Sequence, residues 1–153
     1  MQHSNCFHGR GKFLMTLSFT GLFLCTVLQL QAQDLEKDII GKWLMVSNGD
    51  GFLGGHILFK DGGTYQYYRK WPDGSGAEIA GGYELDSESN PARLKLCLGD
   101  CGAAGSEWTT NFGIVRSTEG NQLEMYFSSD GSYPDNFPKD IDAKGMYLFQ
   151  AEH

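Results

Sequence analysis

The stretch LGGHILFKDGGTYQYYRK, residues 53–70, holds the pattern that decides the fold. Two runs, 53–60 and 64–70, flank the turn-forming residues Asp61, Gly62 and Gly63. Short runs separated by Gly, Asp, Asn, Ser or Pro clusters are typical of sequential antiparallel strands. The stretch therefore predicts two neighbouring strands joined by a tight turn.

The same pattern recurs after Gly41 and gives eight predicted strands: residues 41–47, 53–60, 64–70, 77–85, 94–99, 108–117, 122–128 and 145–151. Helical spacing is confined to residues 33–40, where Leu35 and Ile39 follow the capping residue Asp34. Eight strands joined mostly by short turns can close on themselves, which removes the unpaired edges of an open sheet. We therefore predict an all-β protein, an eight-stranded antiparallel up-and-down barrel with a short N-terminal helical turn. A two-sheet sandwich is the alternative.

Period-two alternation indicates which side chains share a face of each strand. The shared faces are Trp43 with Met45; Leu94 with Leu96 and Leu98; Trp108 with Thr110, Phe112 and Ile114; and Leu123 with Met125 and Phe127. The last run is apolar on both faces, so the alternation does not predict its orientation.

The first 32 residues predict a secretory signal peptide. Arg10 and Lys12 are their formal charges, and residues 13–30 form an uncharged apolar run. Leu30-Gln31-Ala32 provides residues that tolerate cleavage before Gln33. We therefore divide the chain into a signal peptide, 1–32, and one domain, 33–153. An uncleaved membrane anchor and a lipoprotein modified at Cys25 are the alternatives.

The domain that follows the leader is acidic. All 19 Asp and Glu residues, but only ten of the twelve Lys and Arg residues, follow residue 32, so its formal charge is −9. Phosphate binding needs clustered basic side chains, and the composition therefore argues against nucleic acid and anionic membrane surfaces as partners. We expect a secreted or periplasmic protein without stable membrane insertion after cleavage. The sequence does not predict an oligomeric state.

Cys97 and Cys101 are the two cysteines after the leader. In an oxidising compartment, a pair separated by three residues predicts one local disulfide across a tight turn. His56 and His153 are the histidines of the domain, and they are too few for a zinc site. Because the acids of the 130–144 loop do not match an EF-hand spacing, we predict neither a metal nor a cofactor.

Gly41-Lys42-Trp43, placed just after the helical turn, resembles the Gly-x-Trp signature that opens lipocalins. A closer likeness, to small bacterial lipocalin-like domains, is carried by Phe59-Lys-Asp-Gly-Gly-Thr-Tyr65, Gly81-Gly-Tyr83-Glu-Leu85, Tyr133-Pro-Asp-Asn-Phe137 and Leu148-Phe149. The resemblance covers most of residues 38–150. It implies a lipocalin-like barrel that binds a small apolar or amphipathic molecule, with structural roles for Gly41 and for Trp43, which plugs one barrel end.

An aromatic-rich set of residues is the predicted lining of such a barrel. Pointing inward, these side chains would surround an apolar lumen in which hydroxyl groups orient a polar head. The set is Tyr65, Tyr67, Tyr83, Trp108, Phe112, Met125 and Phe127. Ligand binding at this lining is the predicted function.

The alternative is that the same side chains fill the barrel. The protein would then be an interaction protein, such as a secreted inhibitor or an envelope component, acting through residues 71–76 or the 130–144 loop. Neither His56 nor His153 lies in a recognisable catalytic motif. We therefore predict a protein that is not an enzyme.

Overall fold

The computed structural model describes residues 35–102 and 110–152. A helical turn over residues 35–38 precedes eight strands: β1 (Gly41–Asn48), β2 (Gly54–Lys60), β3 (Thr64–Lys70), β4 (Gly76–Asp86), β5 (Ala92–Leu98), β6 (Thr110–Thr118), β7 (Gln122–Phe127) and β8 (Met146–Ala151). Each strand is antiparallel to the next, and β8 pairs with β1. The predicted eight-stranded up-and-down barrel with its N-terminal helical turn is confirmed, and the sandwich is excluded.

Antiparallel order places alternate connections at opposite ends of the barrel. The turns 61–63, 87–91 and 119–121 lie with the helical turn at one end, here called the helix end. Residues 49–53, 71–75, 99–102 and 128–145 lie at the other end, here called the loop end. The two ends therefore differ in the amount of chain that covers them.

The ladder between β1 and β8 closes the ring. Trp43 pairs with Ala151 and Met45 with Phe149, and the register then shifts between Met45 and Ser47. Such a bulge adds one residue to the strand and increases its local twist. The bulge leaves pairing intact on both sides, so neither edge of the sheet is left open along this ladder.

Apolar side chains line the barrel interior and form one contact cluster. The contact cluster comprises Ile39, Trp43, Ile57, Phe59, Tyr65, Leu94, Leu96, Val115, Leu123, Met125 and Phe149. The indole Nε1 of Trp43 donates a buried hydrogen bond to the carbonyl of Ile39 at 2.8 Å. Gly41, at φ +133°, turns the chain from the helical segment into β1 in a conformation that favours glycine. The helical turn is thereby held across the barrel end as a plug.

The 128–145 loop packs on the outer face of β5 and β6. The ring of Tyr133 meets the ring of Phe112 edge-on, with centroids 5.0 Å apart. The guanidinium of Arg116 lies 4.3 Å from the ring centroid of Phe137. Ile114, on the same strand as Phe112, is fully excluded from solvent. The longest loop therefore covers an apolar stripe on the outside of the barrel.

The predicted disulfide joins Cys97, at the end of β5, to Cys101, with 5.2 Å between the two Cα atoms. The backbone N–H of Gly82 donates to the carbonyl of Gly99 at 2.6 Å. A Cβ at Gly81 would stand 1.8 Å from the carbonyl oxygen of Cys97, so glycine is required there. The disulfide turn is thus pinned directly against β4.

The signal peptide predicted over residues 1–32 lies outside the described residues, as does Trp108. Within 35–102 and 110–152, no helix is long and apolar enough to cross a membrane.

Replacing Trp43 with Phe tests the plug. The W43F variant loses the indole donor, leaves the Ile39 carbonyl unpaired and opens space in the core, so we expect a loss of about 2–4 kcal/mol in the free energy of unfolding. Leu44→Ala, one residue along β1 on the opposite and exposed face, is the matched control and should cost below about 1 kcal/mol. Urea unfolding followed by circular dichroism measures both; equal losses would contradict the role of Trp43.

Candidate functional site

Five of the predicted lining residues face the barrel interior, but they do not form one site. Tyr65, Tyr67, Tyr83, Met125 and Phe127 all belong to the core cluster or pack against it. Tyr83 lies toward the helix end, and its ring meets the ring of Phe59 edge-on at 5.0 Å. Tyr67 and Phe127 lie toward the loop end. The predicted lining residues are therefore divided between the two ends of the barrel.

The prediction that Phe112 points inward is wrong. Phe112 pairs with Lys95, which alternates along β5 with the buried core residues Leu94 and Leu96. Phe112 therefore lies on the outer face, where Tyr133 covers it. Alternation identifies residues that share a face but not which face is interior, and the covering loop makes an outward aromatic residue as favourable as an inward one.

β3 carries Tyr65, Tyr67 and Arg69 on the interior face. Tyr65 is 4% exposed within the core, and alternation along the strand gives Tyr67 and Arg69 the same orientation. Arg69 is the last of the three and lies at the loop end. Its cross-strand neighbours are Gly55 on β2 and Ala77 on β4.

The loop between β1 and β2 folds over the same end of the barrel around Asn48. The Oδ1 of Asn48 accepts hydrogen bonds from the backbone N–H groups of Asp50, at 3.2 Å, and Phe52, at 2.9 Å. The Nδ2 of Asn48 donates to the carbonyl of Phe52 at 3.0 Å. A side-chain amide that replaces backbone partners in this way fixes a short loop. Asp50 and Phe52 are held near the barrel opening as a result.

The carboxylate of Asp50 receives two donors from the β8 side of the barrel. The hydroxyl of Tyr147 donates to Oδ2 of Asp50. The backbone N–H of Gly145 donates to Oδ1 at 3.3 Å. Asp50, Tyr67, Arg69 and Tyr147 are here called the loop-end cluster. Its members come from three separate parts of the chain.

The two phenols of the cluster remain protonated at neutral pH. Burial raises the pKa of Tyr67 to about 12; the positive charge of Arg69 opposes this shift, and the Asp50 carboxylate adds to it. Burial also raises the pKa of Tyr147, and its hydrogen bond to Asp50 raises that pKa further. Both side chains therefore present neutral hydroxyl groups that can donate.

Two polar atoms of the cluster are buried without a hydrogen-bond partner among residues 35–102 and 110–152. They are the hydroxyl oxygen of Tyr67 and the Nε of Arg69. Native proteins pair nearly all buried polar groups with protein atoms or ordered water. An unpaired phenol and an unpaired guanidinium N–H on one strand therefore mark a place that is chemically incomplete in the chain alone.

Aromatic rings frame the guanidinium of Arg69. Its central carbon lies 5.1 Å from the ring centroid of Phe52 and 4.8 Å from that of Trp71. Trp71 is positioned by the 71–75 turn, in which its backbone N–H donates to the Ser75 carbonyl at 2.9 Å. These cation–π contacts stabilise the charge, but an aromatic ring offers no lone pair to the N–H groups in the guanidinium plane.

A hollow of about 240 Å³ lies at the helix end. Lys42, Trp43 and Glu152 are among its lining residues. Lys42 and Glu152 form an ion pair at 2.8 Å, and the Trp43 indole N–H is bonded to Ile39. These polar groups are already satisfied, so the loop-end cluster is the stronger candidate for a site.

Two acids of the long loop, Asp130 and Asp142, already accept hydrogen bonds from serine side chains. Asp130 accepts hydrogen bonds from the hydroxyls of Ser128 and Ser132, and Asp142 accepts one from Ser47. Across the described ranges, no group of three or more His, Cys, Asp or Glu side chains is placed to hold a metal ion.

Sequence reasoning missed the residues that make the loop-end cluster distinctive. The alternation of Tyr65, Tyr67 and Arg69 was a usable signal for Arg69, although charged residues on a strand usually face solvent. Asp50 and Tyr147 meet across 97 positions of sequence, and no local pattern connects them.

Comparison of the chain with protein-family models, with curated proteins and with solved structures gives no match. The function is therefore argued from the barrel and the loop-end cluster themselves.

Removing each phenol separately tests the hydrogen-bond assignment. Tyr147→Phe takes a donor from a partly buried carboxylate, so the free energy of unfolding should fall by about 1–3 kcal/mol. Tyr67→Phe removes a hydroxyl that has no partner, so stability without ligand should stay within about 0.5 kcal/mol or rise. Urea unfolding of the ligand-free variants measures both, and the reverse order would contradict the assignment.

Alkaline pH tests the two raised pKa values. The folded state keeps the phenolic protons of Tyr67 and Tyr147 above pH 10, where the unfolded chain loses its own. Their contribution to stability is therefore complete below about pH 10 and is lost as the pH rises toward 12. Urea unfolding from pH 8 to 12, with tyrosinate absorbance recorded in parallel, should show falling stability. Full ionisation of all seven tyrosines near pH 10 with unchanged stability would contradict it.

Proposed function

We propose that the protein binds a small amphipathic molecule at the loop end of its barrel. The apolar part of the ligand packs against the interior side chains of the middle layer, and its polar part lies at the loop-end cluster. The observation that carries the proposal is the pair of buried, unpartnered polar atoms on Tyr67 and Arg69. A bound molecule supplies the partners that the described chain lacks.

The architecture supports this role. A closed barrel of eight strands has an interior wide enough for packed side chains or for one small ligand. Small-molecule sites are typically apolar, with a few convergent polar groups that fix orientation. The loop end has that composition, because Ile79 is the cross-strand neighbour of Tyr67 and the ring of Phe127 meets the ring of Tyr147 edge-on at 6.1 Å. The lipocalin-like resemblance of Gly41-Lys42-Trp43 points to the same class of function.

We further propose an extracytoplasmic location. The Cys97–Cys101 disulfide is compatible with an oxidising compartment. The predicted leader over residues 1–32 supplies the route to the secreted fluid or the periplasm. The acidic charge of the domain argues against nucleic acid as a partner. A small molecule is the proposed partner. The proposed activity is binding, not catalysis.

Native mass spectrometry of the protein purified from its own host tests the proposal. We expect a bound mass of small-molecule size in addition to the mass of the chain. Ala77→Trp should remove that bound mass, because Ala77 lies beside Arg69 on the interior face and a large ring there fills the loop end.

Ala80→Trp is the matched control, since Ala80 is exposed and lies on the opposite face of the same strand. It should retain the bound mass. A clean apo mass for the unmodified protein would contradict the proposal and favour the filled-barrel interaction protein. Equal retention of ligand by both variants would place the ligand outside the loop end.

A further inference from the structure

Arg69 has no anionic partner in the described parts of the chain. The described ion pairs are Lys42–Glu152, Lys95–Glu84 and Arg116–Glu124. A guanidinium carries five N–H donors and no acceptor, and the Nε–H of Arg69 is buried and unpaired. Its aromatic contacts hold the charge in place without using its hydrogen-bonding edge. The arginine is therefore held in place without an ion-pair partner among the described residues.

Asp50, the acidic member of the cluster, has other partners. Its two carboxylate oxygens receive the hydroxyl of Tyr147 and the backbone N–H of Gly145. Neither oxygen accepts a hydrogen bond from the Tyr67 hydroxyl or from the Arg69 Nε–H. The charge of Asp50 also sets a limit on the ligand, because a doubly negative group nearby would be repelled more strongly than a singly negative one.

Tyr67 and Arg69 both present hydrogen-bond donors, so both require an acceptor atom. The phenol is protonated and can donate, and the Nε–H can only donate. The two residues stand two positions apart on one strand face, with roughly 6.5 Å between their Cα atoms, and both side chains are long enough to converge. The complement of two donors beside a positive charge is an acceptor-only group with two oxygens and one negative charge.

We propose that the loop end selects ligands with a carboxylate head, which accepts hydrogen bonds from the Tyr67 hydroxyl and the Arg69 Nε–H. This inference rests on the proposed function and specifies its ligand class. Charge-assisted bonds from arginine to a carboxylate are stronger than neutral ones and are geometrically specific. The apolar remainder of the ligand extends toward the middle of the barrel.

Four ligands with the same twelve-carbon tail test the head group by isothermal titration calorimetry at pH 7.5, below their micelle concentrations. They are dodecanoate, 1-dodecanol, dodecyl phosphate and dodecyltrimethylammonium. We expect dodecanoate to bind at least about tenfold more tightly than 1-dodecanol, as one to two charge-assisted hydrogen bonds predict. Dodecyl phosphate should bind more weakly than dodecanoate, and the cation should bind most weakly.

Variants assign the effect to the two donors. Arg69→Gln should reduce the preference for dodecanoate over 1-dodecanol to about twofold or less, and Tyr67→Phe should weaken dodecanoate binding while leaving 1-dodecanol nearly unchanged. Arg69→Lys retains the charge without the guanidinium edge and should lose most of the preference, which keeps the test available if the glutamine variant does not fold. Arg116→Gln is the control, because Arg116 lies on the outer face beside Phe137, and it should bind like the unmodified protein.

The outcomes separate this inference from the proposed function. Equal affinity for all four heads, unchanged by Arg69→Gln, would overturn the carboxylate assignment and leave the proposed function standing. Tighter binding of the phosphate or the cation would also overturn it. Failure of every one of the four to bind would contradict the proposed function and the head-group assignment together.

Discussion

The ladder between β1 and β8 is the interaction on which the rest of the structure depends. It joins the first strand to the last, so each of the eight strands has a hydrogen-bonded neighbour on both sides and the sheet has no free edge. Closure also creates an interior that alternate side chains of each strand must occupy. The pairing of Trp43 with Ala151 places the plug residue directly on this closing ladder. Core packing and barrel closure are therefore established by the same strand.

The two ends of the barrel differ in whether their buried polar groups are paired. At the helix end, the Trp43 indole N–H is bonded to the Ile39 carbonyl, so neither of these two buried groups needs a further partner. At the loop end, the β1–β2 and β3–β4 connections bring Phe52 and Trp71 around Arg69, whose Nε–H has no acceptor in the described chain. Burying a polar group without a partner costs stability. Under the proposed function, a bound ligand completes these hydrogen bonds and offsets this cost.

Much of the fold follows from local sequence, because strand and turn signals need only a few neighbouring residues. The Asp61-Gly62-Gly63 turn and the alternation in β3 predict the hairpin that the structure contains. The disulfide between Cys97 and Cys101 is likewise a local feature. The face of Phe112 could not be predicted in the same way, because it depends on Tyr133, 21 positions further along the chain, returning to cover it.

The candidate site likewise combines residues that local sequence predicts with residues that only distant contacts bring together. Residue type predicts that Tyr67 lines the interior, but it argues against Arg69, because a charge inside a barrel is unfavourable unless something pairs with it. The contact between Asp50 and Tyr147 arises only when β8 closes against β1. A contact that forms only when the barrel closes leaves no pattern in any single segment of the sequence.

The side-chain Nε–H resonance of Arg69 provides the most direct measurement. In a ¹H–¹⁵N spectrum, this signal is identified by its absence from the Arg69→Gln variant, and dodecanoate is then titrated into the unmodified protein. The account predicts a downfield shift of this proton that saturates with ligand, because the unpaired donor gains a charged acceptor. A resonance that stays in place while backbone amides of the barrel respond to the ligand would contradict the claim that the loop-end cluster receives it.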